Sequence, residues 1–157
     1  MASAEQRLVE LGIELPQPSP SANYLLTKRH GDLVFLAGHG PSRLNGSGSV
    51  TGKVGREVST EAAREAARLT GLHMLASLRA EIGSLDRVRS ILHVLGMVNC
   101  APGFSDTPAV INGCSELFVE VFGETWAGTP EQPSEWPSSR TTSASRSRCR
   151  RRWSPRG

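Results

Sequence analysis

The stretch TEAAREAARLTGLHMLASLRAEIGSLDRVRSILHVLGMVN, residues 60–99, decides the fold of this chain. Its first part predicts a long amphipathic helix, because Ser59 or Thr60 suits an N-cap and Glu61 suits the first turn. Gly83 suits the end of that helix. Apolar residues recur at helical spacing between these limits, at Ala63, Ala67, Met74, Leu75, Leu78 and Ile82.

The second part of the stretch, Val88–Val98, predicts a central strand. Along this strand, the residues directed to one face and those directed to the other are both mostly apolar, which is typical of a strand covered on both faces. The polar exceptions are Arg89, Ser90 and His93. After a loop at Asn99–Asp106, a second helix is predicted with Thr107 as N-cap, Pro108 at its first position and Gly123 as its stop. Its apolar positions are Ile111, Cys114, Leu117, Phe118, Val121 and Phe122.

Short elements are predicted upstream of these two helices. A charged helix is expected at Glu5–Leu11, and the prolines that follow it favour an extended segment. Two apolar runs, Asn23–Thr27 and Leu33–Ala37, flank a turn and predict a hairpin. A third strand is expected around Val50–Val54. The predicted order is β-β-β-α-β-α, an α+β chain in which no strand follows the second helix.

Composition divides the chain near residue 125. Leu, Ile, Val, Phe and Met are absent from Thr125–Gly157, which holds seven of the 18 basic residues and two of the 15 acidic ones. Such a segment cannot bury enough apolar surface to offset chain entropy, so a disordered basic tail is predicted. The chain is therefore divided into an N-terminal segment (1–19), a domain (20–124) and a tail (125–157).

Several function classes are excluded by the residue pattern. No apolar run has the length of a signal peptide or a membrane span, which predicts a soluble cytoplasmic protein without a membrane partner. The three cysteines, Cys100, Cys114 and Cys149, are widely spaced, which argues against a disulfide framework and a zinc site. Reduced thiols are expected, and neither a cofactor nor a metal ion.

Four segments of the sequence, in this order, carry a family resemblance. They are LVFLAGHGP (Leu33–Pro41), GSLDRVRSILHVLGMVN (Gly83–Asn99), NCAPGF (Asn99–Phe104) and AVINGCSELFVEVFGE (Ala109–Glu124). Together they resemble the YjgF/RidA family, also described as endoribonuclease L-PSP, in the branch with an NxAPGF segment after the central strand. The resemblance covers residues 20–124.

The resemblance implies a chorismate mutase-like fold: a six-stranded sheet with two helices on one face. Three copies would close into a homotrimer with small-molecule ligand clefts between subunits. The implied activity is a hydrolase of the 2-iminobutanoate/2-iminopropanoate deaminase type, which releases ammonia from enamines and imines such as 2-aminoacrylate. Other members are described as ribonucleases or as binders of small molecules.

The arginine that holds the substrate carboxylate in this family is missing here. It lies in an R-[ST]-x-V motif after the second helix, where this chain reads FGE (Phe122–Glu124) and then TWAGTPEQ. The implied sheet therefore lacks its last two strands. If each codon is re-read from the third base of one codon and the first two of the next, Trp126–Cys149 becomes GRHARTAVGVAELPHNISVEVEV. Because that segment contains the motif and an alternating strand, we predict that a frameshift near codon 125 produced the tail.

The candidate ligand-binding residues are Tyr24, Gly38, His39, Asn112 and Glu116; no catalytic residue is assigned. Tyr24 falls where the family has a cleft-lining tyrosine, and Gly38 where backbone groups face the ligand. His39 lies in a Gly-His-Gly context that lets a ligand approach the backbone. Asn112 and Glu116 share a helix face and would line a cleft. The plainer interpretations are a hairpin aromatic, a loop histidine and a solvated helix face.

Three function hypotheses stay open. The first is a deaminase-type enzyme or binder that is inactive without its arginine. The second is an RNA-binding or RNA-cleaving protein that uses the tail, whose arginines would bind phosphates without sequence preference. The third is a non-catalytic trimeric ligand binder.

Overall fold

The computed structural model describes residues 2–19, 23–42 and 49–123, together with the backbone pairing of a strand at 131–135. The helices are α1 (Ala4–Glu10), α2 (Thr60–Ile82) and α3 (Thr107–Phe122), with a 3-10 turn at Leu85–Arg87. The strands are β1 (Thr27–His30), β2 (Leu33–Leu36), β3 (Val94–Val98) and β4 (Glu131–Glu135). The α+β class predicted from the sequence is confirmed.

The two long helices begin and end close to the predicted residues. Ser59 is the N-cap of α2 and accepts a hydrogen bond from the backbone of Ala62, while Gly83 ends the helix at a φ of 85°. The N-cap of α3 is Asp106 and not Thr107, because the Asp106 carboxylate accepts from the backbone of Ala109 and Thr107 is already helical. Gly123 is the C-cap of α3, as predicted.

Helices α2 and α3 pack closely side by side and run in the same direction. Arg64 pairs with Glu116, and one turn further along Arg68 pairs with Glu120 at 2.6 Å. Glycine allows the close approach: a Cβ added to Gly113 would overlap the carbonyl oxygen of Arg64. The core between the helices and the 3-10 turn is apolar, and its most buried side chains are Leu75, Leu85, Leu117 and Val121.

The predicted strands are shorter in the structure. The hairpin is present, but β1 is Thr27–His30 and not Asn23–Thr27. Val54 makes only isolated bridges, to Val58 and Cys100, so no strand forms at Val50–Val54. The predicted strand at Val88–Val98 is reduced to its last five residues, since a 3-10 turn and irregular backbone precede β3.

Within one chain, the central strand is covered on one face only, whereas the sequence predicted cover on both. Val94 and Val98 of β3 are buried, whereas Leu95 is 53% exposed and Met97 is also exposed. Side chains alternate along a strand, and α3 packs on one side of β3. The described part of the chain supplies nothing that covers the other side.

A strand follows α3, where the sequence analysis expected none. β4 pairs parallel to β3, with Gly96 opposite Pro133. The polar sequence EQPSE argued against a strand, but an unpaired strand edge is a template for backbone pairing whatever the side chains, and proline is tolerated at a sheet edge. The predicted disorder of the other tail residues, and the frameshift itself, concern residues outside the described part of the chain.

The N-terminal segment is joined to the core, although the sequence analysis separated residues 1–19 from the domain. Leu8 of α1 is buried in the same cluster as Leu117 and Phe118. The Glu5 carboxylate accepts a hydrogen bond from the backbone of Leu85 at 2.9 Å. The apolar residues of this segment, among them Leu8, Ile13 and Leu15, are interspersed with charges, and the sequence did not indicate that they pack on the core.

Candidate functional site

The loop that follows β2, Ala37–Ser42, is the centre of the candidate site and is called the post-β2 loop below. Gly38 is exposed, so its backbone is accessible, and His39 is half-buried. Nδ1 of His39 lies 2.7 Å from the carbonyl oxygen of Ala37, and Nε2 lies 2.8 Å from Oγ of Ser77 on α2. Both ring nitrogens of His39 are therefore bonded within the protein.

A row of polar side chains on α2 meets the hairpin and the post-β2 loop. His73, Ser77 and Glu81, here called the polar seam, are four residues apart and share one face of the helix. Nε2 of His73 donates to the carbonyl oxygen of Ser42 at 2.9 Å. Glu81 accepts from the hydroxyl of Thr27 at 2.7 Å. The seam thus holds the start of β1, His39 and the end of the loop against α2.

Burial lowers the pKa of His39 from its ordinary value of 6.5. The hydrogen bond to Ala37 opposes that shift, and the charge of nearby His73 adds to it. The ring is therefore neutral at pH 7. Since a carbonyl oxygen only accepts, Nδ1 carries the proton, and Nε2 accepts from the hydroxyl of Ser77.

This lowered pKa predicts a pH-dependent stability. The unfolded chain binds a proton at His39 more readily than the folded chain, so the free energy of unfolding should fall as the pH drops through 6.5. His39→Gln should remove this part of the dependence. Urea unfolding of both proteins between neutral and mildly acidic pH measures the difference. Parallel pH curves for the two proteins would contradict the assignment.

Tyr24 lies just before a shallow groove at the start of the hairpin. The groove has a volume of about 300 Å³ and is lined by Leu25, Leu26, Thr27, Lys28, Arg29 and Glu81. The side chain of Tyr24 is partly exposed. The structure therefore places Tyr24, Gly38 and His39 in one segment of the chain, on the side of α2 that carries the polar seam.

Asn112 and Glu116 lie elsewhere. Both are exposed on α3, as their predicted shared face requires. Glu116 pairs with Arg64, and this pairing raises the pKa of the Arg64 guanidinium. Among the described elements, α3 makes no contact with β1 or β2. Within one chain, these two residues are thus not brought together with the post-β2 loop.

The sequence analysis missed the three residues of the polar seam. Their spacing of four was visible in the sequence, but polar residues at such spacing on a helix more often form a solvated face. Only the hydrogen bonds to Thr27, His39 and Ser42 distinguish this seam from an exposed stripe. Ser77 is 3% exposed, which no solvated face would give.

Other kinds of site find no support in the described ranges. Cys100 and Cys114 are buried, and neither forms a disulfide. Residues 2–19, 23–42 and 49–123 contain no group of three metal-ligating side chains close enough to hold an ion. No helix in the described part of the chain is both long and apolar enough to cross a membrane.

Comparisons with known proteins agree with this architecture. A family model described as "YjgF/chorismate_mutase-like, putative endoribonuclease" matches residues 5–131. Protein TCP17 of Trypanosoma cruzi is 34% identical over 118 residues, which cover 74% of this chain and 73% of the relative.

Two solved structures are similar in fold and sequence. The protein Atu1372 of Agrobacterium tumefaciens, described as of unknown function, has a TM-score of 0.74 at 34% identity, with 85% of this chain and 82% of that chain covered. A "putative endoribonuclease" from Shewanella oneidensis MR-1 has a TM-score of 0.78 at 28% identity, with 86% and 87% covered. The family match begins within α1, which agrees with the packing of that helix into the core.

Proposed function

Because the chain belongs to the YjgF/chorismate mutase-like family, we propose that it keeps the small-ligand framework of the imine deaminases and has lost their reaction. The observation that carries this proposal is the sequence after α3. It reads TWAGTPEQ where the deaminases place the R-[ST]-x-V motif. The planar fork of an arginine grips a carboxylate through two hydrogen bonds, and no lysine replaces that geometry.

The arginine was lost, on this proposal, through the frameshift near codon 125. The re-read segment restores HARTAVGV and an alternating VEVEV strand. The second base of each re-read codon is the first base of the following codon, so valine, leucine and isoleucine arise only before residues whose codons can begin with T, here serine, tryptophan and cysteine. That constraint supports the frameshift, because it limits the positions at which apolar residues can appear.

The ligand region of the proposal is the post-β2 loop with Tyr24. Two features support it: the exposed backbone of Gly38 and the groove that begins at Leu25. A suitable probe is 2-oxobutanoate, the keto acid that hydrolysis of 2-iminobutanoate produces. Without the arginine, we expect only millimolar binding, with NMR shifts at Tyr24 and Gly38.

The experiment that tests the function combines this titration with an activity assay. Ammonia release from 2-aminoacrylate should not exceed the uncatalysed rate. A rate well above background would contradict the loss of the reaction, and the absence of shifts would contradict the ligand region. The family description and the Shewanella structure also name a ribonuclease. RNA cleavage by the chain without residues 125–157 would favour that function instead, because those residues hold the excess of arginine.

Assembly through the exposed apolar side chains of the strands is the second part of the proposal. Phe35 of β2 is 60% exposed and Leu33 is also exposed, while Leu95 and Met97 are exposed on β3 in the other sheet. Large apolar side chains that stay exposed on strands are typical of a contact surface. A second and third copy of the chain would cover them, as the homotrimer of the family implies.

Phe35→Asp should therefore weaken self-association. A charge on a surface that becomes buried between copies is costly unless it is paired. Light scattering coupled to gel filtration should report a lower mass for this variant than for the unchanged chain. Val9→Asp is the matched control, since Val9 is 81% exposed on α1, away from the sheet. Equal masses for all three proteins would count against the exposed strand side chains as an assembly surface.

A further inference from the structure

The hairpin and the post-β2 loop depend on α2 for their position. Among the described elements, β1 and β2 contact each other and α2, but not α3 or β3. The hairpin also forms a sheet separate from that of β3. The placement of Gly38 relative to the core is therefore governed by the contacts with α2, and the polar seam supplies three of them.

The ring of His39 is unsuited to bind a ligand directly. Nδ1 donates to the carbonyl oxygen of Ala37, two residues earlier, which folds the ring back onto its own loop. Nε2 accepts from Ser77, so neither nitrogen is left for a ligand. A side chain bonded at both ends, once to its loop and once to a helix, joins the two rigidly.

Ser77 is the group that decides this arrangement. A serine within a helix often returns its hydroxyl to the carbonyl four residues earlier. Here the hydroxyl is directed to His39 instead and is itself buried. Burial removes water as a competitor and so strengthens this bond, while the carbonyl oxygen of Ala37, which only accepts, selects the tautomer of the ring. The titratable groups nearest on α2, His73 and Glu81, are bonded to Ser42 and Thr27 respectively.

We propose that Ser77 is a positioning residue of the ligand site: its hydroxyl holds Nε2 of His39, whose other nitrogen is bonded to Ala37, and so latches the post-β2 loop to α2, with the backbone of Gly38 facing the ligand. This inference rests on the proposed function, because it takes the post-β2 loop as the place where a small carboxylic acid binds. It changes the expected role of His39, whose ring anchors the loop while the neighbouring backbone meets the ligand.

Nitrogen-15 NMR of the His39 ring tests the latch in the full chain. The unchanged protein should have a protonated Nδ1 and an unprotonated Nε2. In Ser77→Ala, this tautomer should persist, because the Ala37 carbonyl selects it, but the Nε2 signal should shift as its hydrogen bond is lost. The pKa of His39 should rise, with about fivefold tighter proton binding, because the donor that stabilised the neutral ring is gone. Ser77→Thr keeps the hydroxyl and should restore both values.

Thr27→Val is the matched control. It removes the seam bond to Glu81 and leaves the His39 bonds in place, so the Nε2 signal and the pKa of His39 should stay as in the unchanged protein. A response of Thr27→Val equal to that of Ser77→Ala would overturn the proposal, because the ring would then respond to general loosening of the hairpin. An unchanged Nε2 signal and pKa of His39 in Ser77→Ala would overturn it as well.

The same variants report on the ligand. Titration with 2-oxobutanoate, followed at Gly38, should give about fivefold weaker binding in Ser77→Ala and nearly unchanged binding in Ser77→Thr. Equal affinities in all variants would overturn the positioning role even where the Nε2 signal of His39 responds. A response of the Nε2 signal without binding of 2-oxobutanoate by any variant would support the latch and refute the proposed function, so the two failures are distinguishable.

Discussion

Replacement of residues 125–157 by the re-read segment GRHARTAVGVAELPHNISVEVEV should give the chain the imine deaminase activity that, on the proposed function, it has lost. The segment restores one arginine in the R-[ST]-x-V motif and a strand of alternating pattern. A charge-assisted grip on a carboxylate contributes about 2–5 kcal/mol, which corresponds to a rate gain of tens- to thousands-fold. Ammonia release from 2-aminoacrylate, followed under identical conditions for both chains, measures the gain.

The control for this experiment is the same repaired chain with the arginine of HARTAVGV changed to lysine. Lysine keeps the charge but not the planar fork, so most of the gain should disappear while the fold is retained. If the present chain were as active as the repaired one, the arginine would not be required for the deaminase reaction. If the lysine variant kept the full activity, the gain would come from the restored strands and not from the arginine.

Gly113→Val should produce the largest loss of stability of any single substitution considered for this chain. Gly113 is buried in α3 where that helix touches the backbone of Arg64 in α2, and a Cβ has no room there. A backbone carbonyl cannot move away as a flexible side chain does, so the helices must separate. Overpacking of this kind costs about 3 kcal/mol, or about 10 °C in Tm for a chain of this size.

Asn112→Val is the matched control for this substitution. It places the same β-branched side chain one residue earlier in α3, on the exposed face. Its effect on the free energy of unfolding should stay within about 0.5 kcal/mol. Thermal unfolding followed by circular dichroism compares the two variants. A similar loss in both would point to the helix propensity of valine as the cause and not to the contact with α2.

Much of the fold follows from short segments of sequence. The limits of α2 were predictable because Ser59 and Gly83 act on the backbone within one helical turn. The end of α3 was predictable from Gly123 for the same reason. The error of one residue at the start of α3 arose because Asp106 and Thr107 are both good caps, and only the backbone decides between them. The family was recognisable from residues 33–41 and 83–124, since the segments that resemble the family occur there in the same order as in its members.

The candidate site was less predictable. Tyr24, Gly38 and His39 were placed by resemblance, and the structure puts them in one segment on one side of α2, but whether a ligand binds there stays a prediction. Asn112 and Glu116 were grouped with them on helical spacing alone. Spacing reports which residues share a face of one helix and not which element that face meets. Here it meets Arg64 and solvent.

The sequence by itself determined the helices, the hairpin, the family and the missing arginine, because caps, periodicity and motifs act over a few residues. Only the tertiary structure decided that one face of β3 is bare, that EQPSE pairs with its edge, and that Ser77 holds His39. Each of these joins residues far apart in the chain. Such contacts depend on how whole elements pack, and a polar residue looks the same in a local sequence whether it meets water or a half-buried imidazole.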